Sequence, residues 1–256
     1  MFDLLMGGLA PATFWLAALV AVFAGLVKGA LGFAMPMIMI SAYGSLMPIE
    51  LALAGLILPT LVTNLSQAFR QGWHAALGSM RLYWRMLAVM VLCLLISAQF
   101  LTFLPRAVLL VLLGGPIVAY ALLQLANIPN TLRVEKRLRA EWMSGAIGGL
   151  YGGVSGVWGP PVMIYLLSIG TTKHDMVRIL GVVFLIGAMA LVLGHSMSGA
   201  LDARGWGFSA AMVAPSVFGL LLGYKIQDRL DAERFRRWTL ILLILTGLNL
   251  LRQAVS

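Results

Sequence analysis

The chain has 256 residues, of which 61% are hydrophobic and only 11% are charged. Because soluble domains carry about 25% charged residues, this composition predicts an integral membrane protein. A transmembrane barrel is excluded, since its strands would alternate apolar and polar residues and no such alternation is present. The net charge of +9 does not indicate a nucleic-acid partner, because most of the basic residues lie in a few short connectors, as in membrane proteins. A single cysteine, Cys93, excludes an intrachain disulfide.

The first half of the chain is predicted to begin with a broken apolar segment. Residues 12–47 are interrupted by glycines and a proline at 28–36, which leaves two arms of about 15 residues, shorter than the ~20 of a full span. We expect a helical hairpin or a broken helix here. No cleaved signal peptide is expected, since Asp3 is the only charge before Lys28. The rest of this half is predicted as a span at 49–69, a basic connector at 70–85, and spans at 86–104 and 107–127.

The second half repeats this order of elements. It begins with a charged linker at 131–141 and a second broken apolar segment at 142–170, whose interruption is rich in glycine. Predicted spans follow at 177–200, 205–224 and 238–255, with a basic connector at 225–237 before the last one. Because most of the 18 basic residues lie in the connectors, the positive-inside rule places those connectors in the cytoplasm and both termini outside.

The two broken segments are related by an internal repeat. Shifting the chain by 124 residues aligns Gly25, Gly29, Gly32 and Pro36 with Gly149, Gly153, Gly156 and Pro160. We therefore predict a first transmembrane repeat at 1–129, a basic cytoplasmic linker at 130–141 and a second repeat at 142–256. Each repeat is a broken-helix hairpin plus three transmembrane helices, so the second repeat is inverted relative to the first. The alternative is eight ordinary spans whose glycines serve helix packing.

The first break contains a basic residue inside an apolar segment. Lys28 needs water, a partner or a ligand there, because a central lysine costs about 2.5–3.5 kcal/mol on insertion scales. Beside it lie Gly29 and Gly32, and a second arm begins near Phe33. A helix start offers free N–H groups and a positive dipole end, both of which suit an anion. The alternative for Lys28 is that its side chain extends to the nearer membrane interface.

Further candidate ligands lie at the second break and in the span at 49–69. The second break offers a hydroxyl, an indole and backbone amides, while the span offers amide side chains that are costly to leave unpaired. Packing roles remain open for Trp158 and for the amide side chains. The predicted anion-binding residues outside the first break are Asn64, Gln67, Ser155, Gly156, Val157, Trp158 and Gly159. We predict no catalytic residue, no cofactor and no metal.

An enzymatic alternative comes from the string Gly153–Gly156, which reads G-x-S-G around Ser155. This string resembles the nucleophile motif of rhomboid intramembrane proteases, for which His195 would be the base. The interpretation is weak in a glycine-rich tract, and His195 is otherwise expected to be an interfacial or packed histidine. Glu50 and Asp175 are expected to complement helix dipoles. A third alternative is a structural subunit of a larger membrane complex.

Two segments carry a resemblance to a known family. Residues 24–33 (AGLVKGALGF) and 148–167 (GGLYGGVSGVWGPPVMIYLL) resemble the sulfite exporter TauE/SafE family of bacterial anion transporters. The resemblance extends over nearly the whole chain. It implies that the protein moves sulfur-containing anions such as sulfite or organosulfonates outward across the bacterial inner membrane. Composition and charge distribution already predict an all-α, polytopic membrane protein with both termini outside, which in this membrane makes them periplasmic. The expected partners are this small anion and the lipid bilayer, and a homodimer is left open.

Overall fold

The computed structural model describes residues 5–101, 103–126, 136–197, 202–226 and 232–255. Within these ranges the chain forms helices and turns, with no strand. The helices, in chain order, are α1 (Pro11–Leu31), α2 (Met35–Leu46), α3 (Ile49–Ala68), α4 (Trp73–Leu82), α5 (Trp84–Ala98), α6 (Arg106–Leu125), α7 (Arg137–Ser155), α8 (Gly159–Ser168), α9 (Lys173–Met197), α10 (Ala203–Ile226) and α11 (Ala232–Val255).

Six of the described helices are long and apolar enough to cross a membrane, namely α1, α3, α6, α9, α10 and α11. Helices α4 and α5 bend by 78° at their junction and together would make a seventh span. Large apolar side chains are exposed, among them Trp15 at 67% and Phe103 at 81%. Such a surface is a liability in water but suits contact with lipid. The predicted class, an all-α polytopic membrane protein, is confirmed.

The arms of the two broken segments are unequal, whereas two arms of about 15 residues were expected for the first segment. In each segment a long helix precedes a short one: α1 has 21 residues and α2 has 12, while α7 has 19 and α8 has 10. The short arms cannot cross a bilayer alone. Helix α7 is long enough, but its charged first turns and its glycines lower its hydropathy.

The predicted connector at 70–85 contains a helix that was not expected from its basic residues. Helix α4 buries Ala76 and Ser79 on one face and leaves Trp73 and Met80 exposed. Alanine, leucine and methionine favour helix, and the buried face gives this helix a reason to form. It packs against α9, where Arg178 donates from Nε to the Ser79 hydroxyl at 3.0 Å.

The chain divides into two compact units. Unit 1 holds α1, α2, most of α3, α6, α10 and α11. In it, α10 packs along α1, and α11 along α6. Gly25 and Gly29 of α1 lie so close to α10 that an added Cβ would collide with the carbonyl oxygens of Ser216 and Leu220. Small residues of this kind let membrane helices approach each other backbone to backbone.

Unit 2 holds the end of α3 together with α4, α5, α7, α8 and α9. Its principal helix pair is α5 and α7. Here Gly149 and Gly153 of α7 allow the close approach, because an added Cβ would collide with the carbonyl oxygens of Met90 and Leu94. The Ser97 hydroxyl also donates to the carbonyl oxygen of Gly149 at 3.2 Å. The contact is therefore both close-packed and hydrogen-bonded.

Each compact unit draws helices from both halves of the sequence. The repeat boundaries at 1–129, 130–141 and 142–256 concern sequence symmetry rather than these units, and they stay a prediction. Some predicted features lie outside the described residues: Asp3, the linker residues 130–135, the end of one span at 198–200, and 227–231 of the last connector.

Candidate functional site: the two helix breaks

The first break turns the chain between α1 and α2 within three residues. Gly32 caps the end of α1; its φ of +84° is left-handed, and its N–H donates to the carbonyl oxygen of Lys28 at 2.7 Å. Glycine adopts this conformation without a steric penalty. Ala34 also has a positive φ, +76°, and it precedes the first residue of α2. The break is thus a tight, sterically specified turn.

Lys28 lies in the last turn of α1 and is only 2% exposed. Its Nζ donates to the Thr63 hydroxyl at 2.9 Å, and that hydroxyl donates to the carbonyl oxygen of Pro59 at 2.6 Å. The ammonium is therefore held inside unit 1 instead of extending to the surface of the unit. Thr63 was not among the binding residues predicted from the sequence. Its position could have indicated such a role, because it is a polar residue one turn after Pro59 in the predicted span at 49–69.

The start of α2 lies directly after this turn. The first amides of any helix have no partner within the helix, and in α2 these include the amides of Met35 and Met37, whereas Pro36 has none to offer. The positive end of the helix dipole lies there as well. Gly29 packs against α10, and Phe33 is half-buried. A buried ammonium and a helix start thus lie within one short segment of unit 1.

The second break turns the chain between α7 and α8. Gly156 has a φ of +70°, and its N–H donates to the carbonyl oxygen of Gly152 at 2.8 Å. The Ser155 hydroxyl donates to the carbonyl oxygen of Tyr151 at 2.7 Å and accepts from the amide of Val157 at 3.0 Å. Ser155 is therefore engaged in stabilising the turn. Trp158 follows at the N-cap position of α8, where its side chain makes no capping hydrogen bond, and the residue is 2% exposed.

Asn64 and Gln67, the candidate residues of α3, are both buried in unit 2, at 1% and 4% exposure. The Asn64 side-chain amide donates to the carbonyl oxygen of Phe184 in α9 at 3.0 Å. The two helices meet closely there, because an added Cβ at Gly181 would lie 3.0 Å from backbone atoms of Gln67 and Ala68. Asn64 thus links α3 to α9, which is one of the two roles that its sequence allowed.

His195 has a structural role in unit 2. It is 1% exposed, and its Nε2 lies 2.8 Å from the carbonyl oxygen of Gly153 in the last turn of α7. The last carbonyl oxygens of a helix have no N–H partner within the helix. The imidazole N–H donates to one of these, the Gly153 carbonyl oxygen, which the break leaves without an intrahelical partner. The Ser155 hydroxyl is occupied by its own turn. The two groups of the protease alternative thus bind backbone atoms of the break.

The helix-start carboxylates are placed as the sequence suggested. Asp175 lies in the first turn of α9, accepts from the Thr172 hydroxyl at 2.8 Å and pairs with Arg178 at 2.7 Å. Its own amide donates back to the Thr172 oxygen at 3.3 Å, a capping arrangement. Glu50 lies exposed in the first turn of α3. Neither residue belongs to the breaks.

These helices and breaks define a polytopic membrane protein with buried polar groups at interrupted helices. Residues 17–250 match the family model described as "Sulfite exporter TauE/SafE", and the chain belongs to this family. It is a family of transporters and not of enzymes. The prediction that the protein is no enzyme is confirmed, and the protease alternative is set aside.

The chain is also similar to a curated protein of Cupriavidus necator named "Probable sulfite/organosulfonate exporter TauE". The two are 29% identical over 150 residues, which cover 59% of each chain. The match thus spans less than two thirds of that relative's length. No solved structure matches the chain.

Proposed function

We propose that the protein exports small sulfur-containing anions, such as sulfite or organosulfonates, across the bacterial inner membrane. The observation that carries the proposal is the buried ammonium of Lys28 in a membrane-type helix. An ionisable group at such a place is costly and usually marks the path of a substrate or an ion. Membership of the family and the name of the Cupriavidus necator relative support the same substrate class.

At the first break, Lys28 supplies a positive charge and α2 supplies amides that lack intrahelical partners. An anion placed there accepts hydrogen bonds from both and lies at the positive end of the helix dipole. Gly29 and Gly32 shape the path of the chain, since the first permits close packing and the second a left-handed turn. Phe33 contributes an aromatic wall. The Thr63 hydroxyl orients the ammonium.

At the second break, the residues from Ser155 to Gly159 form the corresponding binding segment in this proposal. Ser155 acts indirectly by holding the turn through Val157, while Gly156 provides the left-handed bend. Asn64 and Gln67 complete the proposed set of polar contacts. Each of these residues is buried or half-buried, as groups that bind a desolvated anion must be.

The transport step that we propose is alternating access, in which the anion is bound between two glycine-rich hairpins that open in turn to each side. The sequence repeat supports it, and so does the shared role of its glycines. Gly25 and Gly29 pack on α10 in unit 1 as Gly149 and Gly153 pack on α5 in unit 2. An interior-negative potential favours anion exit by about 2.3 kcal/mol per charge at 100 mV, which is a driving force for export that requires no coupling ion; coupled exchange is the alternative. Periplasmic termini and a homodimer stay predictions.

Flux measurements on the purified wild-type protein in proteoliposomes test this function. Vesicles are loaded with sulfite, sulfoacetate, sulfolactate, thiosulfate or chloride, and valinomycin with a potassium gradient sets the interior negative. We expect efflux of sulfite or of a sulfonate above that of protein-free vesicles, and we expect it to accelerate with the imposed potential. Efflux of chloride alone, or of none of these anions, would overturn the proposal.

A further inference from the structure

The side chain of Trp158 fills a space in unit 2 that two glycines create. An added Cβ at Gly187 of α9 would lie 2.6 Å from the indole ring, and one at Gly152 of α7 would lie 3.0 Å from the Trp158 Cβ. The ring also packs edge to face against Phe184, with centroids 6.3 Å apart. The indole is therefore held in one position by its surroundings at the second break.

The indole N–H of Trp158 has no hydrogen-bond partner in the part of the chain that the structure describes, although the residue is only 2% exposed. A buried donor that makes no hydrogen bond destabilises the fold, because it has lost its bonds to water without replacing them. Buried tryptophans usually find an acceptor, so this donor requires an explanation. A ligand that arrives during the transport cycle would supply the acceptor.

The start of α8 is otherwise poor in donors. Pro160 and Pro161 occupy the second and third positions of the helix, and proline has no N–H. The amide of Val157 is already bonded to the Ser155 hydroxyl at 3.0 Å. Of the donors that a helix start offers to an anion, the first turn of α8 retains little beyond the amide of Gly159. The indole N–H belongs to Trp158, the residue that directly precedes Gly159 in the chain.

The 124-residue repeat gives this position a counterpart in unit 1. Gly152 and Gly187, against which the indole packs, align with Lys28 and Thr63, which are joined by a hydrogen bond. Trp158 itself aligns with Ala34. The first break has a long side chain on the helix before the turn, whereas the second has glycines on α7 and α9 and a large ring on the N-cap residue of the helix after the turn. Both arrangements bring an N–H donor to the break, charged in one and neutral in the other.

We propose that the indole N–H of Trp158 is the hydrogen-bond donor with which the second break binds an oxygen of the transported oxyanion. This inference rests on the proposed function and assigns a donor to it. Because the indole is neutral, this break recognises the anion without adding a second charge. A hydrogen bond to a charged acceptor contributes about 1.5–3 kcal/mol, which corresponds to roughly 10-fold to 150-fold in affinity.

The test is the variant Trp158→Phe, which keeps an aromatic ring and removes the N–H. The matched control is Trp84→Phe, since Trp84 is a unit 2 tryptophan that is 57% exposed. We expect Trp158→Phe to raise the dissociation constant and the half-saturation constant for the transported anion about tenfold or more, while the control leaves both unchanged. If Trp158→Phe does not fold, 3-benzothienylalanine at position 158 replaces the N–H by sulfur in a ring of the same shape.

The outcomes separate the two proposals. If the wild-type protein moves no sulfur oxyanion, the proposed function fails whatever Trp158 does. If the wild type moves the anion and a folded protein without the indole N–H shows the same constants, the assignment of Trp158 is overturned and the transport function stands. A smaller rise that the control shares would equally overturn the assignment, because it would reflect a general effect of losing a tryptophan.

Discussion

The Lys28 ammonium donates to the Thr63 hydroxyl at 2.9 Å, and this hydroxyl donates in turn to the carbonyl oxygen of Pro59. The hydroxyl thus donates its only proton to its own helix and accepts from the lysine with one of its two lone pairs. Thirty-five positions separate the two residues, so the contact links α1 to α3 as well as orienting the charge. Substitutions on either side of it are therefore informative.

Thr63→Val replaces the hydroxyl with a methyl group of similar size. The ammonium loses an acceptor in a buried place, for which we expect a loss of about 1–3 kcal/mol in stability and slower anion flux. Thermal unfolding in detergent and proteoliposome flux measure these effects. The control is Thr246→Val, because the Thr246 hydroxyl bonds to its own helix at 2.9 Å. Equal stability of both variants would show that the contact contributes nothing measurable.

Gly149→Ala and Gly153→Ala test the packing of α7 on α5. Each added methyl group would collide with a carbonyl oxygen of α5, so the two helices must separate. We expect the free energy of unfolding to fall by about 1–3 kcal/mol for each variant. Gly78→Ala is the matched control, since Gly78 is an exposed glycine within α4 of unit 2. An added Cβ there meets nothing within 4 Å, and alanine is favoured over glycine in a helix by about 0.5–1 kcal/mol.

The yield of monodisperse protein in size-exclusion chromatography and its melting temperature report on these three alanine variants. We expect both to fall for the two α7 variants and to stay level or rise for Gly78→Ala. The packing account would be contradicted by Gly149→Ala and Gly153→Ala proteins as stable as the wild type.

Ala34→Gly tests the strain at the first break. Ala34 has a φ of +76°, a left-handed conformation that costs a non-glycine residue about 1–2 kcal/mol. Glycine removes this cost but gains freedom in the unfolded chain, so we expect a net stabilisation of up to about 1 kcal/mol. Ala42→Gly, within α2, should instead destabilise by roughly that amount. Melting temperatures that fall equally for both variants would argue against a strained turn.

His195→Leu tests the bond from the imidazole to the end of α7. Loss of the donor leaves the Gly153 carbonyl oxygen buried without it, and we expect a cost of about 1–3 kcal/mol. His195→Gln, which retains an N–H donor, should recover part of it. The exposed His74 gives the control His74→Leu. Protein that remains folded should keep the wild-type half-saturation constant, and loss of transport without loss of stability would point instead to a direct role in the cycle.

The sequence predicted the fold class and the locations of the breaks from elementary features. An apolar composition predicted membrane helices, and the run of glycines and prolines at 148–161 excluded a continuous helix there. Lys28 was recognisable because a lone cation in an apolar segment is conspicuous. These signals are local, so they could be read without coordinates.

Other features depended on long-range contacts that no local pattern encodes. Thr63 became relevant only when α3 was placed beside Lys28. The role of His195 became visible only when its ring met Gly153, which lies 42 positions earlier. Helix α4 was hidden because its basic residues resemble those of a connector, and its burial against α9 was not apparent from composition.

The central claim is that the buried charge of Lys28 binds the transported anion. The most direct measurement compares potential-driven sulfite or sulfonate efflux from proteoliposomes that contain Lys28→Met with efflux from those that contain Lys225→Met, whose lysine is exposed at the end of α10. We predict that Lys28→Met lowers flux at least ~10-fold, that Lys28→Arg recovers part of it, and that Lys225→Met has no effect. Folded Lys28→Met protein with wild-type flux would contradict the account.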